Sequence, residues 1–358
     1  MEVKVVTGSN YGDESKGLVS GCLARQAIEN EHKKVLTVFY NGTAQRQHDF
    51  MGQARHTLGA GEAFGADTFY HRAFVVDPIM LWVFQTPVII DPRCRVILPC
   101  DVLYGQAREK VTKHGSCGFG LFAAVKRNET EPLQIQHLFC GNYGLPDYKR
   151  IQGADKFYGY TPNNLHNLTN FLRALDWMKK NCRFITFEQL MRCNEYDTII
   201  YEGGQGLLLD QANRGDFPHL TPSSTGAYNI HKDIEALGAP LDLYYVSRSY
   251  MTRHGAGPMD DECKKEDINP DIVDLTNQPN EWQGALRFGR IDLDKLYKRV
   301  EGDAARYACD KKVNMVFTHL NYTDSKIETI DGRAEIVKPS FVIQMWGSDR
   351  KDFMSRIE

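Results

Sequence analysis

The 358-residue chain lacks the features that mark several classes of protein. Its nine cysteines are scattered and form no CxxC pair, which argues against a disulfide framework or a zinc site and favours a reducing compartment. The net charge is only −3 and no basic cluster occurs, so we expect neither nucleic acid nor a membrane as a partner. The longest apolar runs are far too short to cross a bilayer, and the N-terminus lacks a signal-peptide pattern. These absences predict a cytoplasmic location.

The chain also has no internal repeat and no low-complexity linker, and we expect one domain over residues 1–358. Continuous β-branched runs alternate with amphipathic stretches of helical length, which predicts an α/β fold with a mainly parallel central sheet flanked by helices. The predicted strands are 3–7, 34–40, 95–98, 198–201, 243–247, 313–318 and 341–345. The predicted helices are 18–29, 101–113, 165–180, 187–193, 225–237 and 293–308.

Residues 8–17, which follow the first predicted strand, read GSNYGDESKG. A glycine-rich turn between a strand and a helix N-terminus presents backbone N–H groups to phosphate, and Lys16 adds a positive charge. The P-loop spacing GxxxxGK[ST] is missing, and the acidic pair Asp13 and Glu14 stands here instead. A carboxylate beside a phosphate site holds Mg²⁺ or moves a proton. The alternative is a strand–turn–helix junction with surface charges.

This segment resembles the signature of adenylosuccinate synthetases, GxxxGDEGKG, from which it departs at Ser15, a glycine in the family. The resemblance implies a ligase whose fold is related to P-loop NTPases. It implies catalytic roles for Asp13 and Lys16, with Asp13 also on the purine and on Mg²⁺. The implied contacts to ATP are Asn10, Gly12, Glu14, Ser15, Lys16 and Gly17.

Residues 40–48 read YNGTAQRQH and resemble the family motif QGGHNAGH. The resemblance makes His48 a general acid, a role that suits imidazole because its pKa lies near working pH. Gln45 stands where the family has an asparagine that binds the purine, and Gln47 replaces a glycine whose carbonyl holds Mg²⁺. Without the resemblance, His48 would be interpreted as a solvent-facing loop histidine.

Residues 114–120 read HGSCGFG and resemble the family loop GTTGRG, which grips the nucleotide monophosphate. Ser116 and Cys117 are the implied contacts, although Cys117 replaces a threonine. Arg127 follows at about the distance of the family arginine that crosses the dimer interface, which implies a homodimer. The alternative for Arg127 is a solvated surface charge.

Three further stretches resemble family motifs: YEGGQGLLLD at 201–210, FPHLTPSS at 217–224 and TRHGAGP at 252–258. They imply that Gln205 holds the purine and its activated oxygen as a catalytic residue. Leu220 and Thr221 would bind the monophosphate, and Gly255 would line the sugar pocket. Six matches in order, from residue 8 to residue 258, cover most of the chain.

Two departures from the family bear on the substrates. The family recognises guanine of GTP with the aspartate of TKLD, whereas residues 318–321 read THLN. The amide of Asn321 is a donor and an acceptor, which suits adenine, so we expect ATP or dATP as the phosphate donor. In the alternative interpretation, backbone groups near Gly347 hold the base.

The second departure is the aspartate loop, where residues 283–292 read QGALRFGRID and the family has ATTGRRRRTGWLD. The implied contacts to L-aspartate are Gly284, Ala285, Leu286 and Arg287. The family arginines that also touch the ribose are missing, which relaxes a preference for the 2′-hydroxyl.

Together these departures resemble the phage branch of the family, the 2-aminoadenylosuccinate synthetases, which join aspartate to dGMP. That branch implies Mg²⁺, dGMP, L-aspartate and ATP or dATP as ligands, in the host cytoplasm, with Ser15 and Gln45 as candidates near the 2-amino group. One alternative is an ordinary adenylosuccinate synthetase that acts on IMP with GTP. The other is a non-catalytic purine nucleotide-binding protein, although Asp13, Lys16 and His48 are all retained.

Overall fold

The computed structural model describes residues 1–43, 46–48, 54–139, 165–274, 277, 279, 282–334 and 342–345, with only the backbone for 46–48, 54–56 and 342–345. The strands are β1 Glu2–Gly8, β2 Val35–Phe39, β3 Arg46–His48, β4 Ala54–His56, β5 Asp67–Tyr70, β6 Val75–Val76, β7 Ile89–Ile90, β8 Arg95–Val96, β9 Arg183–Phe184, β10 Thr198–Gly206, β11 Leu241–Arg248, β12 Met251–Arg253, β13 Glu262–Cys263, β14 Arg287–Gly289, β15 Lys311–Thr318, β16 Ile327–Thr329, β17 Gly332–Ala334 and β18 Val342–Met345. Nine of them form one sheet in the order β18-β15-β11-β1-β10-β2-β5-β7-β9, and each neighbouring pair is parallel. The predicted α/β class with a mainly parallel sheet is confirmed.

The α-helices lie between these strands along the chain. They are α1 Lys16–Arg25, α2 Pro78–Phe84, α3 Pro99–Thr112, α4 Leu121–Thr130, α5 Ile135–Phe139, α6 Leu168–Asn181, α7 Phe187–Arg192, α8 His231–Leu237, α9 Lys265–Ile268 and α10 Leu293–Ala304. None of these described helices is both long and apolar enough to cross a membrane.

The structure differs from the predicted elements where local sequence carries little signal. β7 and β9 have two residues each, too short for a periodic pattern, and β5 was also not predicted. The strand predicted at 95–98 is β8, which pairs with β6 outside the main sheet. The helix predicted at 225–237 is wrong over its first half, because a 3-10 turn at Ala227–Asn229 precedes α8.

The central strand β1 positions the site. It lies between β10 and β11, and its residues Val5 and Val6 are buried. In a parallel sheet all carboxyl ends meet at one edge, where ligands bind. At that edge Gly8 is in register with Gly206 and Val246. Residues 8–17 therefore leave the sheet at this edge, residues 40–43 do so after β2, and residues 201–210 include the end of β10.

A close approach of two backbones sets the packing of α4 on α3. Gly120, just before α4, has φ 74°, and a Cβ there would lie 2.7 Å from the Val102 amide nitrogen. Gly238, just after α8, has φ 59° but open space around it. Both glycines have left-handed backbone, but neighbouring atoms crowd the Cβ position only at Gly120.

We expect Gly120→Ala to lower the free energy of unfolding more than Gly238→Ala does. Left-handed backbone alone costs an alanine about 1 kcal/mol. The collision with α3 adds about 1–3 kcal/mol. Urea unfolding of both variants measures the difference, and equal midpoints would show that the α3–α4 contact tolerates a methyl group.

Candidate active site

The loop between β1 and α1 encloses a carboxylate. Oε1 of Glu14 accepts the backbone N–H groups of Asn10 and Gly12, each at 2.9 Å. Oε2 of Glu14 lies 3.2 Å from Nζ of Lys16, and both side chains are only 3% exposed. The Lys16 ammonium also donates to the Gly12 carbonyl. The amides and the buried ammonium thus converge on the carboxylate of Glu14, and binding of a phosphate by this loop stays a prediction.

Two residues of this loop show why the family pattern prefers glycine. A Cβ on Gly8 would collide with the Glu14 carboxylate, so only glycine admits the buried pair. Ser15 has φ 71° and ψ 35°, the left-handed region that glycine adopts most readily. The chain therefore carries a strained serine where the family has glycine.

Side chains from distant parts of the chain hold the loop in place. Arg299 on α10 donates to the carbonyl of Ser9 and to Oδ1 of Asn10, both at 2.7 Å. Arg248 at the end of β11 donates from Nε to the Asp13 carbonyl at 2.5 Å. Burial lowers the pKa of Arg299 to about 10, which leaves it charged at neutral pH. Sequence reasoning missed both arginines, since no local pattern marks contacts across the fold.

The catalytic candidate Asp13 is half-buried beside the loop. Its side chain is 35% exposed, and its Oδ2 lies 3.5 Å from Nε2 of His254. The sequence did not predict this neighbour. The partly exposed carboxylate is open to a substrate and remains the candidate base.

The predicted motifs meet at this edge of the sheet. A Cβ on Gly12 would lie 3.4 Å from Cα of Gln205, and the Arg253 guanidinium lies 4.4 Å from the centre of the Tyr11 ring. Arg253 also donates to the carbonyl of His219 at 3.0 Å. The structure thus brings together the segments 8–17, 201–210, 217–224 and 252–258.

The loop at 114–120 joins the same cluster. The N–H of Ala256 donates to the carbonyl of His114 at 3.3 Å, and Gly115 packs against Gly255. Ser116 and Cys117 are exposed beside this contact. The predicted monophosphate loop and the predicted sugar loop are therefore neighbours.

Two of the predicted substrate-binding residues each have a buried side-chain oxygen that lacks a hydrogen-bond partner among the described residues. Oε1 of Gln205 and Oγ1 of Thr221 are buried, yet neither has a hydrogen-bond partner in the part of the chain that the structure describes. Leaving such atoms unpaired costs about 1–3 kcal/mol each. A bound ligand that donates to them would remove this cost.

A cavity of about 410 Å³ opens between α3 and the segments around 115, 256 and 283. Its lining residues are Glu109, Lys110, Lys113, Gly115, Ala256, Trp282 and Gln283. The two lysines suit a phosphate or a carboxylate and were not among the predicted site residues. Their only sequence signal was their place at the end of a helix, before the glycine-rich loop.

Arg127 is bound within its own chain. Its Nη2 lies 2.7 Å from Oδ2 of Asp101 and donates to the Val96 carbonyl at 2.8 Å. Its side chain is 16% exposed, so it is not the solvated surface charge of the alternative interpretation. The role of Arg127 across a dimer interface stays a prediction.

Arg287 on β14 joins the predicted aspartate loop to the sugar loop. Its Nε donates to Glu262 at 2.8 Å, and its Nη1 donates to the carbonyls of Gly255 and Gly257 at 3.1 and 2.9 Å. Gly284 and Ala285 are exposed and Leu286 is half-buried beside it. Binding of aspartate by this segment stays a prediction.

The remaining predicted residues are less fully described. Asn321 is exposed in the 3-10 turn Leu320–Tyr322 that follows β15. Gln45 and Gly347 lie outside the described residues, and of Gln47 and His48 only the β3 backbone is described.

The described residues contain no group of three His, Cys, Asp or Glu side chains able to hold a metal. Mg²⁺ commonly takes one or two carboxylates and completes its shell with water and substrate phosphates. The partly exposed carboxylate of Asp13 in the loop at 8–17 fits that mode.

Glu202 on β10 is a fully buried acid in the YEGGQG segment. Its Oε2 accepts the N–H of Ala60 at 3.1 Å, and Oε1 has no hydrogen-bond partner among the described residues. Burial raises its pKa from about 4.5 to about 7. Between pH 4.5 and pH 7, Glu202 is therefore protonated in the folded protein and ionised in the unfolded chain.

The stabilisation linked to Glu202 is therefore fully present below pH 4.5 and is lost as pH rises through 7. We expect it to amount to about 3 kcal/mol. Glu202→Gln should reduce the fall in urea stability between pH 5 and 8, whereas Glu129→Gln, at an exposed site, should not. An unchanged slope in Glu202→Gln would contradict the raised pKa.

Comparisons with known proteins point to one family. The profile of the family described as adenylosuccinate synthetase matches residues 80–285, more than half of the chain. Adenylosuccinate synthetase of Shewanella loihica is 27% identical over 369 residues, covering 91% of this chain and 82% of that protein. The enzyme of Azotobacter vinelandii is 25% identical, covering 87% and 77%.

Two solved structures share the fold. Fully ligated adenylosuccinate synthetase from Plasmodium falciparum superposes with a TM-score of 0.68 at 15% identity, covering 99% of this chain and 90% of that one. Cyanophage S-2L succinoaminodeoxyadenylate synthetase, bound to dGMP and to dATP as an energy donor, gives 0.57 at 14% identity, covering 100% and 99%.

Proposed function

The chain belongs to the adenylosuccinate synthetase family of carbon–nitrogen ligases, and we propose that it joins L-aspartate to C6 of dGMP. The phosphate donor is ATP or dATP. The product is N6-succino-2-amino-2′-deoxyadenylate, a precursor of diaminopurine in DNA. We place this activity in the host cytoplasm, in a homodimer.

One observation carries the choice of substrates: the chain keeps the loop with Asp13 and Lys16 but has Asn321 in the turn after β15, where the family has aspartate. A carboxylate accepts from both guanine donors, N1–H and N2–H. An amide offers one donor and one acceptor, which matches the N1 and N6 edge of adenine. The dATP in the cyanophage enzyme supports the same choice.

The contacts of Arg287 support deoxyribose, and not ribose, as the sugar of the substrate. Its guanidinium is engaged by Glu262 and by two carbonyls of the sugar loop. The other arginines of the family loop are missing from this chain apart from Arg290, which pairs with Asp261 at 3.7 Å. Few cations therefore remain to recognise a 2′-hydroxyl.

The first chemical step activates the purine oxygen. Asp13 takes the N1 proton of guanine, which raises the negative charge on O6. O6 then attacks the γ-phosphorus, so that the O6–P bond forms as the bond to the bridging oxygen breaks and the nucleoside diphosphate leaves. Lys16, buried in the same loop, stabilises the phosphate charge.

The second step forms the carbon–nitrogen bond. The aspartate amine attacks C6, the C6–O6 bond breaks and inorganic phosphate leaves, carrying the proton that the amine loses. Gln205, with its unpaired buried oxygen, orients the purine. His48 acts as the acid at the transferring phosphate. Mg²⁺, held by Asp13 and the Gln47 carbonyl, would supply neutralisation of phosphate charge.

The proposal predicts that purified protein with L-aspartate, Mg²⁺ and ATP converts dGMP faster than IMP. Product mass identifies the aspartate adduct of each nucleotide. Asp13→Ala and His48→Ala should each lower turnover about 100-fold or more, because both groups act on the transferring proton or phosphoryl group. Faster turnover of IMP would assign the ordinary synthetase activity instead.

Asn321→Asp should shift the phosphate donor from ATP towards GTP. The new carboxylate pairs with guanine donors and lacks a donor for adenine, a difference of about 1–3 kcal/mol, or roughly 5- to 150-fold. Values of kcat/KM for both nucleotides in wild type and variant measure the shift. An unchanged ATP-to-GTP ratio would mean that backbone groups select the base.

A further inference from the structure

We propose that His254 is a positioning residue that orients the Asp13 carboxylate, a role that rests on the ligase function proposed above. His254 directly follows β12, and its Nε2 lies 3.5 Å from Oδ2 of Asp13. Among the residues that the structure describes, it is the one basic side chain within 4.0 Å of that carboxylate. The family motif that residues 252–258 resemble has valine at this position, which cannot make such a contact.

The second neighbour of His254 determines which ring nitrogen carries the hydrogen. Asn277 donates from its side-chain nitrogen to Oδ2 of Asp274 at 2.8 Å and from its backbone to Oδ1 at 3.0 Å. Its amide oxygen is therefore turned towards His254, 3.1 Å from Nε2. Because an amide oxygen only accepts, Nε2 of His254 is the donor in this hydrogen bond, and Oδ2 of Asp13 lies beside that donor at 3.5 Å.

Arg248 contacts both Asp274 and Asp13, and so links Asp274 back to Asp13. Its Nη2 donates to Oδ2 of Asp274 at 2.8 Å, and its Nε donates to the Asp13 carbonyl at 2.5 Å. One connected set of side chains thus contacts both the backbone and the carboxylate of Asp13. A donor 3.5 Å from Oδ2 favours one orientation of the carboxylate, in which Oδ1 points in the defined direction that a base needs to take a proton.

The surroundings of His254 permit a clean comparison of variants. Its side chain is 13% exposed, and its Nδ1 has no hydrogen-bond partner among the described residues. Glutamine can place an N–H near Nε2 without breaking a bond at Nδ1. Valine, the family residue, removes the donor altogether.

Kinetics of His254→Val and His254→Gln test the role. The valine variant should lower kcat by about 10- to 100-fold, with KM for both nucleotides within about twofold, because misplacing the base by a fraction of an ångström slows proton transfer. The glutamine variant should recover most of that loss. His137→Val, on α5, should leave kcat unchanged.

A measurement of the first chemical step alone, phosphoryl transfer to O6, tests the same variants. Exchange of labelled oxygen between the bridging and non-bridging positions of ATP reports formation of the 6-phosphoryl intermediate. It should slow in His254→Val as much as kcat does. Wild-type exchange or kcat in the valine variant, or a glutamine variant as slow as valine with an unchanged urea midpoint, would overturn the proposal.

A measurement without turnover separates this proposal from the ligase function. In protein with ¹⁵N-labelled histidine, His254 should show hydrogen on Nε2, and its Nε2 resonance should move in Asp13→Asn. Hydrogen on Nδ1, or a resonance that does not move, would refute the contact even in an active enzyme. If neither dGMP nor IMP is turned over, the ligase proposal fails while this contact is still decided.

Discussion

The buried pair of Glu14 and Lys16 is the interaction on which the rest of the site depends. A carboxylate removed from water is stable only when ionic and hydrogen-bond partners surround it. Two backbone amides and the Lys16 ammonium supply them. The loop must therefore wrap around this carboxylate, which requires glycine at Gly8 and a left-handed residue at Ser15. That shape sets the start of α1 and the direction in which Asp13 leaves the loop.

The parallel sheet brings distant segments of the chain to this local loop. Because β1 lies between β10 and β11, the segments that follow these strands approach the loop from both sides. Gln205 arrives with β10, and Arg248 and His254 arrive with the end of β11 and the turn into β12. A chain with the same motifs in another strand order would not assemble them.

The structure shows the surroundings of three residues at which this chain departs from the family pattern. Ser15 occupies left-handed backbone at a cost of about 1 kcal/mol, which a glycine would avoid. His254 reaches the catalytic candidate, where the valine of the family motif would not. Asn321 lies exposed in the turn after β15. These three positions are among those at which this chain departs from the family motifs.

The amino-acid sequence alone determined the fold class, the strand–turn–helix junction at 8–17 and the family, because apolar runs, glycine spacing and short motifs are local properties of the chain. It also made Asp13, Lys16 and Gln205 the candidate site residues, because their neighbours in sequence mark them. Only the tertiary structure decided that Arg127 pairs with Asp101, that Arg299 holds the loop and that His254 faces Asp13. Each of those contacts joins elements brought together by packing of the folded chain, and no local pattern encodes which elements will meet.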